Sequence, residues 1–138
     1  MRNAVATVVA SLLFQIGAGF GTAAEDPHLG IVEYEISCLP CHGLDGRGAG
    51  QKAGTLRRKP ADLTRIAKRN SGKFSSEKVA DIIDGRAFVA GHGTREMPIW
   101  GERYRATTET NETPAWIDKR VRAQIAALVR YIQTLQEK

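Results

Sequence analysis

Cys38-Leu39-Pro40-Cys41-His42 constrains this chain more than any other stretch. It is a C-x-x-C-H motif, the spacing at which c-type haem is attached. Each thiol can form a thioether to a haem vinyl group. Two intervening residues let both sulfurs reach one porphyrin edge, and the adjacent imidazole reaches under the ring to the iron. The 138-residue chain has 2 cysteines, both in this motif, so it holds one haem site or none. A covalently held porphyrin adds a large apolar surface for a small chain to wrap.

Three other readings compete. A structural zinc site needs four Cys or His ligands, usually as two separated pairs. Here Cys38, Cys41 and His42 crowd into one turn, and His28 and His92 make no second pair. A redox C-x-x-C of thioredoxin type wants a βαβ context, and no strand pattern precedes Cys38. A plain disulfide between Cys38 and Cys41 is the third. Covalent haem c, attached through both cysteines, is the favoured reading.

The N-terminus points to an oxidising compartment. Arg2 is the only charge before Glu25, an apolar stretch runs from Ala4 to Ile16, and small residues follow through Gly21-Thr22-Ala23-Ala24. That pattern is a secretory signal peptide over residues 1–24, with cleavage after Ala24 or Ala23. The rival is an uncleaved anchor, because the uncharged stretch from Asn3 to Ala24 is long enough to span a bilayer. Its Gly-, Ala- and Thr-rich second half, with no basic stop-transfer cluster after it, favours cleavage. Residues 25–138 then form one domain, expected in the periplasm with no stable membrane insertion. The formal charge of +5 is no argument for nucleic acid in an exported chain without a long basic tract.

Helical spacing dominates what remains, and no alternating strand pattern of useful length is present, so the fold class is all-α. A first helix is expected from about Leu29 into the haem motif, with Ile31, Tyr34 and Cys38 on one face. Pro40 is expected to limit regular helix there. A glycine-rich loop follows, from His42 to Gly50. Asp62 or Thr64 can cap a short helix through Ile66 and Ala67. Another starts at Ser75, buries Val79, Ile82 and Ile83, and stops at Gly85. The last carries Val121, Ile125, Leu128, Ile132 and Leu135 as an amphipathic stripe.

Taken in order, these segments resemble a class I cytochrome c of the soluble, single-haem bacterial kind. The likeness begins at Gly30, Tyr34 and Cys38 and runs through Cys41-His42-Gly43-Leu44-Asp45-Gly46-Arg47-Gly48. It continues through Lys59-Pro60-Ala61-Asp62-Leu63 and Met97-Pro98-Ile99-Trp100, and closes on Leu128-Val129-Arg130-Tyr131-Ile132. The polar stretch from Arg103 to Trp116 has no counterpart in the family pattern.

His42 is the expected proximal iron ligand, and the resemblance implies that its Nδ1–H donates to the carbonyl of Pro60. Met97 is the expected sixth ligand. It is the one methionine left after signal cleavage, and Pro98 stiffens the segment that presents it. The competing role for Met97 is filling the core, and His92 is the rival ligand. Trp100 and Tyr104 are candidates to hold the haem carboxylates, with Arg86 and Arg95 as ionic partners. A basic cluster, Arg57-Arg58-Lys59 with Arg65, Lys68 and Arg69, is either a solvated face or a steering surface for an acidic redox partner. With both axial positions filled, no site remains for substrate. The expected function is therefore electron transfer between redox proteins by a monomeric carrier, not catalysis. The alternatives are a subunit permanently docked on a dehydrogenase or oxidase, or a haem-based sensor or peroxidase-like protein.

Overall fold

The structure, a computed structural model, describes residues 27–89, 97–107 and 111–137. The segment 1–24 expected to be a signal peptide lies outside them, as do His92 and Arg95. Among the described residues all regular structure is helical. In chain order it comprises α1 (Pro27–Ser37), α2 (Leu39–His42), α3 (Ile66–Arg69), α4 (Ser76–Asp84), α5 (Trp100–Ala106) and α6 (Pro114–Thr134), with single 3₁₀ turns at Ala53–Thr55 and Leu63–Arg65. No helix among the described residues is long and apolar enough to cross a membrane.

The core is the crossing of α1 with α6, flanked by α4 and α5. Tyr34 and Cys38 of the first segment bury against Val121, Ile125, Leu128 and Ile132 of α6, while Val79, Ile83 and Tyr104 close the sides. Gly30 makes the crossing possible. A Cβ there would collide with the Ala127 carbonyl and stand 3.2 Å from Tyr131 Cβ, so only glycine admits this approach. Tyr34, fully buried, packs its ring 5.0 Å from that of Tyr131 and donates its hydroxyl to the Gly43 carbonyl at 2.7 Å. One side chain thus ties the helix crossing to the loop after the haem motif.

The helix ends follow the sequence chemistry. Asp62 caps the 3₁₀ turn by accepting from Thr64 N–H at 2.9 Å. Ser75 caps α4, and Gly85 ends it in the left-handed conformation, at φ 82°. Thr113 caps α6 ahead of Pro114. Pro40 limits the helix at the motif as expected: α1 stops at Ser37, Cys38 stands outside regular helix, and only the four-residue α2 follows. It sits in the first turn of α2, where its missing N–H is no loss. Residues 100–106 form α5, a helix that no sequence pattern marked, with Tyr104 facing the core.

Candidate haem site

Cys38 ends the first helical segment. Its N–H bonds the Tyr34 carbonyl at 2.8 Å, and its own carbonyl accepts from Cys41 and His42 at 3.1 and 2.8 Å. One turn therefore carries both thiols and the imidazole. Cys38 is buried and Cys41 half-buried. Burial first, then the neighbouring Cys41 and Glu33, pushes the Cys38 thiol up to about 12. In the folded chain Cys38 is thus a neutral thiol.

His42 is 5% exposed, and its Nδ1 lies 2.9 Å from the Ala61 carbonyl. A carbonyl can only accept, so Nδ1 carries the proton and Nε2 keeps its lone pair. Burial holds the ring below its usual basicity, and the Ala61 bond opposes part of that shift. The acceptor is Ala61, not Pro60 as the resemblance implied. The Pro60 carbonyl instead lies against Gly48, where a Cβ would collide with it and where φ is 79°. The loop is stitched together at this point: Gly48 N–H reaches the His42 carbonyl at 2.7 Å, and Leu63 N–H reaches that of Gly46 at 2.7 Å. That stitching brings residue 61 over the imidazole.

A cavity of about 290 Å³ opens beside this turn. Cys38, His42, Met97 and Trp100 line it together, with apolar walls from Leu63, Ile66, Val79, Ile82, Ile83 and Ile132. Cys41 and Pro60 are not among its lining residues. Arg69, Asn70, Ser75 and Lys78 make a polar margin. Trp100 Nε1 is buried with no hydrogen-bond partner among the described residues. A buried N–H left unpaired is costly, so this atom is ready for an acceptor from a bound group.

The structure brings four of the expected residues to one cavity and assigns others elsewhere. Arg86 pairs with Asp84 at 2.7 Å and does not line the cavity. Tyr104 meets Ser37 Oγ at 3.2 Å in the core instead. The cations on the cavity margin are Arg69 and Lys78, which no motif marked. His28 is exposed. Among the described residues no group of three or more His, Cys, Asp or Glu is arranged to hold a bare metal ion.

The residues present fit a haem. They provide two thiols on one turn, an imidazole that lines an apolar cavity with Nδ1 already bonded, and a methionine lining the same cavity. They also supply an unpaired indole N–H and cations for carboxylates. No significant match was found among curated proteins or among solved structures. A comparison with protein families matches residues 32–136 to the one described as cytochrome c. That span takes in the C-x-x-C-H turn, every cavity-lining residue and the α6 wall, and on this ground the chain belongs to the cytochrome c family.

Proposed function

We propose that the chain is an exported carrier with a single covalent haem, moving one electron at a time between periplasmic redox proteins, with His42 and Met97 as axial ligands. The observation that carries this is the shared cavity: Cys38, His42 and Met97 line one apolar space, and Ala61 fixes the imidazole in the tautomer that frees Nε2. Bound haem supplies a one-electron couple, and imidazole–thioether ligation raises its potential over ligation by two nitrogens.

The protein residues do the rest. Cys38 and Cys41 attach the group, and the Ala61 bond keeps the His42 ring oriented. Trp100 Nε1, with Arg69 and Lys78, holds the haem carboxylates. The apolar walls exclude water, so little reorganises when the charge changes. Arg57, Arg58, Lys59, Arg65, Lys68 and Arg69 are all exposed, and they steer an acidic partner into brief encounters.

The test is Met97→Ala in the haem-loaded protein. The haem should stay attached, the ferrous form should bind carbon monoxide, and the potential should drop. Ferric wild type should show the weak sulfur–iron charge-transfer absorption that the variant lacks. A variant that keeps a low-spin six-coordinate spectrum and the original potential sends the search to His92.

A further inference from the structure

Asp84 is a carboxylate in an unfavourable place. It ends α4, where the helix dipole opposes a negative charge, and its side chain is only 6% exposed. Two guanidiniums hold it there. Arg105 of α5 donates from Nη1 to Oδ1 at 2.8 Å and from Nη2 to Oδ2 at 3.3 Å. Arg86, just past the end of α4, brings Nε to Oδ2 at 2.7 Å. Arg105 also reaches Asp118 of α6 at 3.4 Å. Buried ion pairs add little net stability over apolar packing, yet breaking one by removing a partner is costly. The use of this pair is therefore to be read from where it stands.

It stands at the base of the segment that carries Met97. The chain leaves α4 at Gly85 and enters α5 at Trp100, with Met97 between. The two ends of that segment touch. A Cβ on Gly101 would overlap the Asp84 carboxylate and stand 2.9 Å from Asp84 Cα. A Cβ on Gly85 would stand 2.5 Å from Ile99 Cγ2. Residues that line the haem cavity flank both contacts: Ile83 precedes Asp84, and Trp100 precedes Gly101. Met97 itself lies two residues before Ile99. Pro98, whose ring fixes its φ, stands between them, so a shift at Ile99 carries to Met97 with little slack.

Thioether ligation needs support of this kind. A methionine side chain is flexible, and a neutral sulfur yields to a better ligand unless the backbone holds it in place. For the segment to swing off the iron from its α5 end, Gly101 must leave Asp84. The buried carboxylate then loses its donors from Arg105, a heavier loss than that of a neutral hydrogen bond.

We propose that Asp84 is a positioning residue for the sixth iron ligand: its pairing with Arg105 clamps the two ends of the Met97 segment and keeps the thioether on the iron against competing ligands. This rests on the His42–Met97 ligation proposed above.

The experiment is a titration of the ferric, haem-loaded chain with imidazole, with the sulfur–iron charge-transfer absorption followed alongside. Imidazole must displace the thioether, so its apparent affinity reports how often the sixth position is open. Asp84→Asn keeps the shape and removes the charge. It should bind imidazole about tenfold more tightly than wild type and show a weakened sulfur–iron band. Arg105→Gln should shift the affinity in the same direction, and it decides the matter if Asp84→Asn does not fold. Met97→Ala sets the ceiling. Adding Asp84→Asn to it should tighten binding no further, because no thioether is left to position. Gly30→Ala, which disturbs the α1–α6 crossing instead, should keep the wild-type affinity. Wild-type affinity in Arg105→Gln, or in a folded Asp84→Asn, overturns the proposal. Further tightening in the double variant, or equal tightening in Gly30→Ala, also overturns it, since the effect would then be general loosening. A Met97→Ala chain that binds imidazole no more tightly than wild type overturns the ligand reading itself, and the clamp with it.

Discussion

Trp100 Nε1 and His42 Nδ1 are the two ring nitrogens on which the site turns, and each makes a prediction. If the indole N–H binds a haem carboxylate, Trp100→Phe should lower the stability of the loaded protein by about 1.5–3 kcal/mol, the worth of a hydrogen bond to a charged group. It should also lower the potential, because a carboxylate left without its donor favours ferric iron. Urea titration and potentiometry read the two effects, and a potential that does not move would leave Trp100 as packing alone. His42 predicts an acid limit. In the haem-free chain, where no iron occupies Nε2, burial lowers its proton affinity from the ordinary 6.5, so the unfolded ring binds a proton that the folded ring does not. Stability is therefore fully present above 6.5 and is lost as pH falls from there toward the folded value. Denaturation midpoints should decline over that window, and a flat profile would count against a buried neutral ring. The motif residues were legible because attachment chemistry dictates their spacing. Ala61 was not. Adjacent carbonyls on an extended stretch point different ways, and no feature of Pro60-Ala61 says which one faces the ring. Arg69 and Lys78 reach the cavity through the tertiary placement of α3 and α4, so no local pattern could mark them.

Helix ends and the α6 stripe were readable because they are local. Ser75, Gly85 and Asp62 hold the caps that their chemistry suggested. Asp62→Ala should cost about 0.5–2 kcal/mol, the usual worth of a cap, and should loosen the segment that carries Ala61. Helix α5 escaped detection because its one turn of core contact, through Tyr104, lies in polar sequence. What holds it is remote: Arg105 reaches Asp84 of α4 at 2.8 Å and Asp118 of α6 at 3.4 Å. At the α1–α6 crossing Gly30 faces the Ala127 carbonyl, backbone that cannot swing aside as the far end of a side chain could. Even Gly30→Ala should therefore destabilise, by about 1–3 kcal/mol from overpacking. Thermal melting of the loaded protein checks this, and an unchanged midpoint would mean that the helices can separate without cost.

In the molecule as a whole, charge and chain order matter most. The basic residues from Arg57 to Arg69 predict that electron transfer with an acidic partner slows as ionic strength rises. Arg58→Glu with Lys59→Glu should flatten that dependence in stopped-flow measurements, and an unchanged salt profile would assign the cluster to solvation. The attachment turn precedes nearly every wall of its own cavity in the sequence, since α3, α4, Trp100 and α6 all come later. The folded chain also holds Cys38 as a neutral thiol, whereas the thiolate is the reactive form. Both facts favour attachment before folding. A group fixed in this way to Cys38 and Cys41 stays with the chain when the chain unfolds. A dissociable cofactor stabilises according to its free concentration, but here there is no free cofactor. Unfolding is unimolecular, dilution does not empty the site, and the refolding chain meets its haem at an effective concentration set by the tether. The melting temperature should therefore be the same at every protein concentration, and unmoved by a haem-scavenging protein added in excess.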